Sequence, residues 1–217
     1  MDYDQAYRDT ETYFGGAADP LLEKWAPCLE SRRPVLDVGC GQGRNSVYLA
    51  RQGLTVHAID PSRVAIDQLQ HRISEEKWTI RTMCAGFADT DLEPDDYGGV
   101  LVFGLVQELE WPDVGSLTEF CRRHLAVDGL LLVTAFSTLD PIYTFHHRTW
   151  QSIGHNSFRN LEGGIRTYLE PDQILTLFDG YDVLHHWEGL GPEHSHGDGP
   201  PERHGRIEAV FRMPSRD

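Results

Sequence analysis

Glycines at three alternate positions, Gly39, Gly41 and Gly43, limit what this chain can fold into more than any other feature. They follow the short apolar run 34–38 and precede 44–51, where Val47 and Ala50 are spaced for one helical face. A buried strand feeding a tight glycine turn and then a helix is the opening of a βαβ unit. Glycine permits the positive φ of such a turn and lets backbone approach a ligand closely. The spacing is G-x-G-x-G, and Arg44 stands where the dinucleotide fingerprint G-x-G-x-x-G has its third glycine. Two carboxylates frame the turn. Asp37 lies two residues before the first glycine, and Asp60 ends the next apolar run, where it can accept from both hydroxyls of a ribose.

Alternation continues beyond the turn. Residues 55–60 read as a strand, Ser62 as the N-cap of a helix with Val64, Ala65, Ile66 and Leu69 on its apolar stripe. Further strands are expected at 78–85, 99–104 and 130–136, the last opened by an Asp-Gly turn, with a helix over 117–125. Residues 137–167 have no clean period, and 171–178 reads as one more helix. The runs 181–189 and 206–213 are joined without room for a crossover helix and should pair antiparallel. The expected fold is α/β, a Rossmann-like, doubly wound, mostly parallel seven-stranded sheet with an antiparallel strand at or near one edge. At 217 residues the chain fits one domain, 1–217, with a lead-in and lid over 1–33, a ligand-binding half over 34–136 and a substrate-side half over 137–217.

Composition removes several classes of function. Lys and Arg number 19 against 34 Asp and Glu, a formal charge of −15. Nucleic-acid binding runs on phosphate contacts from basic side chains, so nucleic acid is not an expected partner, and an anionic membrane surface is not either. The start of the chain has no basic flank followed by an apolar core, as a signal peptide would. The apolar runs 98–106 and 129–136 fall far short of the ~20 residues of a membrane span. Cys28, Cys40, Cys84 and Cys121 form no C-x-x-C pair, which argues against a disulfide framework and points to a reducing cytoplasm.

The run VLDVGCGQGRNSVYLARQGLTVHAID resembles the cofactor half of class I S-adenosylmethionine (SAM)-dependent methyltransferases. Its Gly-Arg-Asn sequence, its Y-L-A-x-x-G helix end and the D-x-S-x-x-A-I that follows are similar to the tellurite-resistance-type branch, with thiopurine-methyltransferase-like neighbours. Tyr13-Phe14-Gly15 and Asp19-Pro20-Leu21-Leu22 resemble the lead-in of that branch. The likeness covers roughly residues 13–136, so it speaks to the cofactor more than to the acceptor. It implies that Asp37, Gly39 and Gly41 line the methionine moiety, with Gly43 allowing the turn and Arg44 and Asn45 opening the helix. It also implies that Asp60 holds the ribose, Pro61 and Ser62 lie under the adenine, and Gly86, Phe87 and Ala88 flank the ring's other face. Gly104 and Leu105 would meet the sulfonium end, near Gln107. Phe87 departs from the pattern, since that position often carries an Asp accepting from the adenine amine. Asp89 or backbone carbonyls would take that bond here.

Eight of the 11 histidines lie after residue 140. In a doubly wound sheet ligands bind outside the carboxyl ends of the parallel strands, where 137–167 and 190–205 should emerge. Three readings of these histidines stand side by side: a solvated Gly/Pro-rich loop, a general base or orienting donor, and a metal site from His194-x-His196 with His204. His146 and His147 are the candidate catalytic residues, one or both serving as general base or orienting donor, because imidazole titrates near neutrality. Tyr13, Trp111, Tyr143, His194 and His196 are the candidate substrate contacts, and no metal ligand is assigned. The aromatic residues expected near the site favour an uncharged or cationic acceptor. The resulting expectation is a cytoplasmic SAM-dependent methyltransferase with a small-molecule acceptor, monomeric or homodimeric. The alternatives are a SAM-fold enzyme of natural-product assembly that does not methylate, and a non-catalytic metal or metalloid binder.

Overall fold

The computed structural model describes residues 3–215 apart from 75, 77, 94–96, 196, 198 and 200. A seven-stranded sheet forms its centre. In chain order its first five strands are β1 (Val35–Val38), β2 (Val56–Asp60), β3 (Ile80–Cys84), β4 (Tyr97–Val102) and β5 (Leu125–Phe136). Three short strands follow, β6 (Gln151–Gly154), β7 (Ser157–Arg159) and β8 (Ile165–Thr167), then β9 (Asp182–Leu190) and β10 (Gly205–Arg212). The large sheet runs β3-β2-β1-β4-β5-β10-β9, and β1 to β5 pair in parallel. β10 is antiparallel to both β5 and β9. The antiparallel strand is therefore next to the edge, and β9 at the edge runs with the parallel set.

The helices are α1 (Tyr3–Asp9), α2 (Pro20–Trp25), α3 (Arg44–Arg51), α4 (Arg63–Ser74), α5 (Trp111–His124), α6 (Tyr143–Thr149) and α7 (Gln173–Leu177). Side chains alternate across the sheet, and each face is covered. Leu36, Val38, Val100, Val102, Leu131, Val133, Ile207 and Phe211 pack with Val114, Leu117 and Phe120 of α5 and Ile174 of α7. Val35, Leu101, Leu130, Leu132 and Val210 pack with Leu21 and Leu22 of α2 and Leu49 of α3. Strands buried on both sides read as continuous apolar runs, which is why β1, β4 and β5 stand out in the sequence.

Three elements differ from the sequence expectation. α5 begins at Trp111 and not near 117, because Pro112 in its first turn and Asp113 beside it are helix-start residues. β5 begins at Leu125, with Asp128 and Gly129 forming a kink inside the strand; Asp128 has φ of 63° and its N–H donates to Met213 O. The stretch 137–167, expected to be irregular, holds α6 and the antiparallel sheet β6-β7-β8. Strands of three or four residues are too short to show alternation.

The lead-in is fastened to the far side of the sheet by Asp19, which is 2% exposed. Its carboxylate caps α2 through Leu21 N at 3.0 Å and accepts from Arg206 Nη2 on β10 at 2.7 Å through each oxygen. Arg44 is 3.8 Å away. Removing one partner of a buried pair leaves a desolvated charge. Arg206→Met is expected to lower stability by about 2–4 kcal/mol in urea unfolding, with the slope unchanged. A loss below about 0.5 kcal/mol would show that Arg44 alone neutralises Asp19.

Candidate cofactor and acceptor site

Strand order reverses at β1, whose neighbours are β2 and β4, so a crevice opens at the carboxyl ends of these strands. The glycine turn sits in it. Gly41 has φ of 52° and Gly43 78°, and a Cβ on Gly43 would lie 2.5 Å from Leu69 Cδ1 of α4. Gly39 and Cys40 donate their N–H groups to Ile59 O at 2.9 and 3.0 Å. Asp60, at the end of β2, accepts from Gly41 N and from Ser62 N, both at 2.8 Å. One carboxylate thus joins the turn after β1 to the start of α4. Ser62 caps α4 by accepting from Ala65 N at 3.1 Å.

Asp37 is buried, and Ser46 Oγ donates to it at 2.6 Å. Burial raises its carboxyl to about 6; the Ser46 bond opposes that rise, and nearby Asp60 adds to it. Asp60 is raised too, chiefly by burial, against the pull of its two N–H donors. Gly104, with φ of 67°, donates to Thr134 Oγ1, and Leu105 side-chain carbons approach within 3.5 Å of the place a Gly39 Cβ would take. Gln107 Oε1 is buried with no hydrogen-bond partner among the described residues.

Not every expected cofactor contact faces the crevice. Asn45 is buried but accepts from Asp19 N at 2.9 Å, and Arg44 donates to Phe14 O at 3.0 Å. Both side chains hold the lead-in. Phe87 turns towards α5, its ring 5.7 Å from that of Phe120. Together with the exposed Ala88 it lines a cavity of about 500 Å³ against α5. Asp89 folds back over Gly86, its Oδ2 3.3 Å from the Cβ position there. Pro61 is exposed at the rim.

The N-terminal segment closes over the crevice. Gln68 donates to Tyr7 O at 2.7 Å, Gln42 donates to Thr10 O at 2.6 Å, and Tyr13 N donates to Gln42 Oε1 at 2.8 Å. Tyr7 Oη comes within 3.0 Å of the Cβ position on Gly41. The rings of Tyr3, Tyr7, Tyr13 and Phe14 pack on one another. Tyr3 hydrogen-bonds Glu108, whose carboxylate also accepts from Arg166 Nη1 at 2.6 Å. Burial raises the Glu108 carboxyl, and Arg166 works against that rise. Gly197 N donates to Tyr13 O at 2.9 Å, so the loop after β9 meets this lid.

The candidate histidines separate. His146 is buried, with Nδ1 2.6 Å from Tyr168 Oη and its ring stacked 3.9 Å from Trp150. Burial lowers its pKa, favouring the neutral ring. His147, the next residue on α6, is exposed with its ring edge-on to Phe158. The two neighbouring rings thus point into different surroundings. Tyr143 Oη donates to Asn156 Oδ1 at 2.6 Å, and Trp111 Nε1 donates to His155 O. Both polar groups are engaged within the small sheet's surroundings. His194 is exposed on the loop 191–204, and His196 lies outside the described residues. Sequence reading passed over Gln42 and Gln68, whose lid bonds reach back 32 and 61 residues, and over Tyr168, which carries no local motif.

Residues 35–129 match the family described as a methyltransferase domain. Over this stretch the chain is similar to SAM-dependent methyltransferases. A probable S-adenosyl-L-methionine-dependent methyltransferase TehB from Haemophilus influenzae is 26% identical over 56% of this chain and 47% of that protein. The match therefore spans about half the relative's length. The malonyl-[acyl-carrier protein] O-methyltransferase of Halorhodospira halophila is 27% identical over 90% of this chain and 72% of its own. The crystal structure of TehB from H. influenzae shares the fold with a TM-score of 0.72 at 19% identity, covering 97% of this chain and 67% of that one. So does the Burkholderia thailandensis 1,6-didemethyltoxoflavin-N1-methyltransferase with bound S-adenosylhomocysteine, with a TM-score of 0.64 at 14% identity over 98% and 88% of the chains.

SAM is the cofactor of this class, and the methyltransferase crevice fits it. The glycine turn keeps its positive φ at the mouth of the crevice, and the buried Gln107 Oε1, without a partner among the described residues, is an acceptor awaiting a donor. Asp37 adds a carboxylate that a cationic amine would draw into its charged form. Without a ligand, the folded chain holds the Asp37 proton more tightly than the unfolded chain does. Its contribution to stability is therefore complete below pH ~4 and is lost as pH rises through about 6. Asp37→Asn is expected to stabilise the ligand-free chain by up to about 3 kcal/mol at pH 8, with the gain vanishing towards pH 4. Thermal unfolding across that range checks it; a difference independent of pH would contradict it.

Proposed function

We propose that this chain transfers the methyl group of SAM to a small organic acceptor that is uncharged or cationic, by in-line displacement, as a cytoplasmic enzyme. The observation that carries the acceptor class is electrostatic. Basic side chains of the small sheet are matched by carboxylates: Arg166 by Glu108 and Arg159 by Glu110. An oxyanion would meet little net positive charge there. Aromatic rings of the lid supply apolar contact and faces suited to a cation. No nucleic-acid partner is proposed, in keeping with the charge of −15.

SAM supplies an activated methyl on a cationic sulfonium, whose charge disperses as the methyl moves. In this reading Asp60 holds the ribose hydroxyls and keeps the glycine turn in register. Gly39, Gly41 and Asp37 take the methionine end, with Gly43 shaping the turn. Ser62 and Pro61 lie on one side of the adenine, Gly86 and Asp89 on the other. Gly104 and Leu105 border the sulfonium, where Gln107 accepts a hydrogen bond. Tyr3, Tyr7 and Tyr13 exclude water and orient the acceptor, which is the main demand of a displacement that needs no obligatory acid–base pair. Segment 1–33 serves as lid and lead-in, 34–136 as the cofactor half, and 137–217 as the acceptor side. His146, held neutral beside Tyr168, is placed as a positioning residue.

Mass spectrometry of reactions with SAM tests the proposal. Phenols, aliphatic amines and heteroaromatic amines form one arm of the panel, tellurite and other oxyanions the second. Expected is S-adenosylhomocysteine together with a product one methylene heavier, confined to the organic arm. Turnover on oxyanions alone, or consumption of SAM without a methylated product, would overturn it.

A further inference from the structure

Beyond the methyltransferase crevice, the ribbon that closes the loop after β9 gathers a second chemical constellation. His194 and Glu202 face each other across an antiparallel bridge, with His194 N donating to Glu202 O at 3.0 Å and Glu202 N to His194 O at 2.8 Å. His204 follows two residues after Glu202, so extended backbone returns it to the same face. One ligand atom from each of the three lies within 4.8 Å of the others. We infer that His194, Glu202 and His204 form a binding site for one divalent transition-metal ion, of the two-imidazole, one-carboxylate kind.

The surroundings support an ion more than a chance cluster. His204 Nδ1 is 3.0 Å from Asp140 Oδ2, and Asp140 is buried and fixed by Gly205 N and Ile142 N at 2.9 and 2.8 Å. The His204 ring also stacks on Phe136 at 4.3 Å. His194 Nδ1 is 3.1 Å from Pro192 O. A carboxylate or carbonyl on one ring nitrogen is the usual outer support of a metal-bound histidine, and it assigns Nε2 as the ligand atom. His204 Nε2 stands 3.7 Å from Glu202 Oε1, beyond hydrogen-bond length. Two ligands at about 2.0–2.2 Å from one ion sit only slightly closer than that, so a small contraction completes the site.

The other cluster of this composition, Asp172, His186 and Glu188, differs in kind. There His186 Nε2 is 2.9 Å from Glu188 and Nδ1 is 3.7 Å from Asp172, so the ring is bonded directly to a carboxylate. Among the described residues no further group orients that imidazole towards an ion. Imidazole with carboxylate suits zinc, iron or manganese, and three protein ligands leave positions open for water or a chelating molecule.

Titration of tag-free, chelator-treated full-length protein with Co²⁺, followed by competition with Zn²⁺, tests the site. Expected is one equivalent of Co²⁺ with the visible absorption of imidazole ligation, displaced by Zn²⁺. Glu202→Gln and His194→Ala should each weaken binding at least about tenfold, and Asp140→Asn about 10–100-fold through the ring it orients. His186→Ala should leave binding unchanged. Far-ultraviolet circular dichroism and S-adenosylhomocysteine affinity report whether each variant is folded. Absence of stoichiometric Co²⁺, binding unmoved in folded Glu202→Gln and His194→Ala, or binding lost in His186→Ala would overturn the inference.

Discussion

Two hydrogen bonds to the Asp60 carboxylate organise the end of the sheet on which the rest of the site is built. Gly41 N reaches one oxygen and Ser62 N the other, so the turn after β1 and the start of α4 share one anchor. Without it the backbone at Gly41, held at positive φ, would have no fixed partner on the β2 side. α4 in turn supplies Leu69, against which Gly43 is packed, and Gln68, which carries the lid. Burial raises the Asp60 carboxyl, and the two donors oppose that rise. An anion held this way also retains lone pairs for further donors.

Charge pairing shapes the region between the lid and the small sheet. A chain with 34 acidic residues could have left its basic groups concentrated around the crevice. Instead Arg159 and Arg166 each meet a carboxylate, and Glu108 carries both Arg166 and Tyr3. These pairs connect α1, the turn after β4 and the small sheet, elements far apart in the sequence. The lid and the small sheet are thereby coupled through Glu108. The His194–Glu202–His204 ribbon reaches the same lid through the bond from Gly197 to Tyr13.

Much of this was legible in the residues. The glycine turn, the boundaries of α3 and the pairing of β9 with β10 follow from local signals: alternate glycines, helical spacing and a short polar connection. The cofactor half was readable because its determinants lie within a few residues of one another. The acceptor side was not, for reasons that are physical. β6, β7 and β8 are too short for alternation to emerge. His146 and His147 were both candidates, and helical rotation buries one against Trp150 and exposes the other. Asp140 and His204 are 64 residues apart, and no pattern in either neighbourhood foretells their contact. Asn45, expected beside the cofactor, is held by the lead-in through Asp19 N.

In the proposed function the crevice at Asp60 is the seat of the cofactor. Calorimetric titration of S-adenosylhomocysteine into the full-length protein and Asp60→Ala addresses that directly. One equivalent should bind per chain, and Asp60→Ala should weaken binding at least about tenfold, about 1.4 kcal/mol, while remaining folded. No binding heat at millimolar ligand, or equal affinity in folded Asp60→Ala, would contradict it.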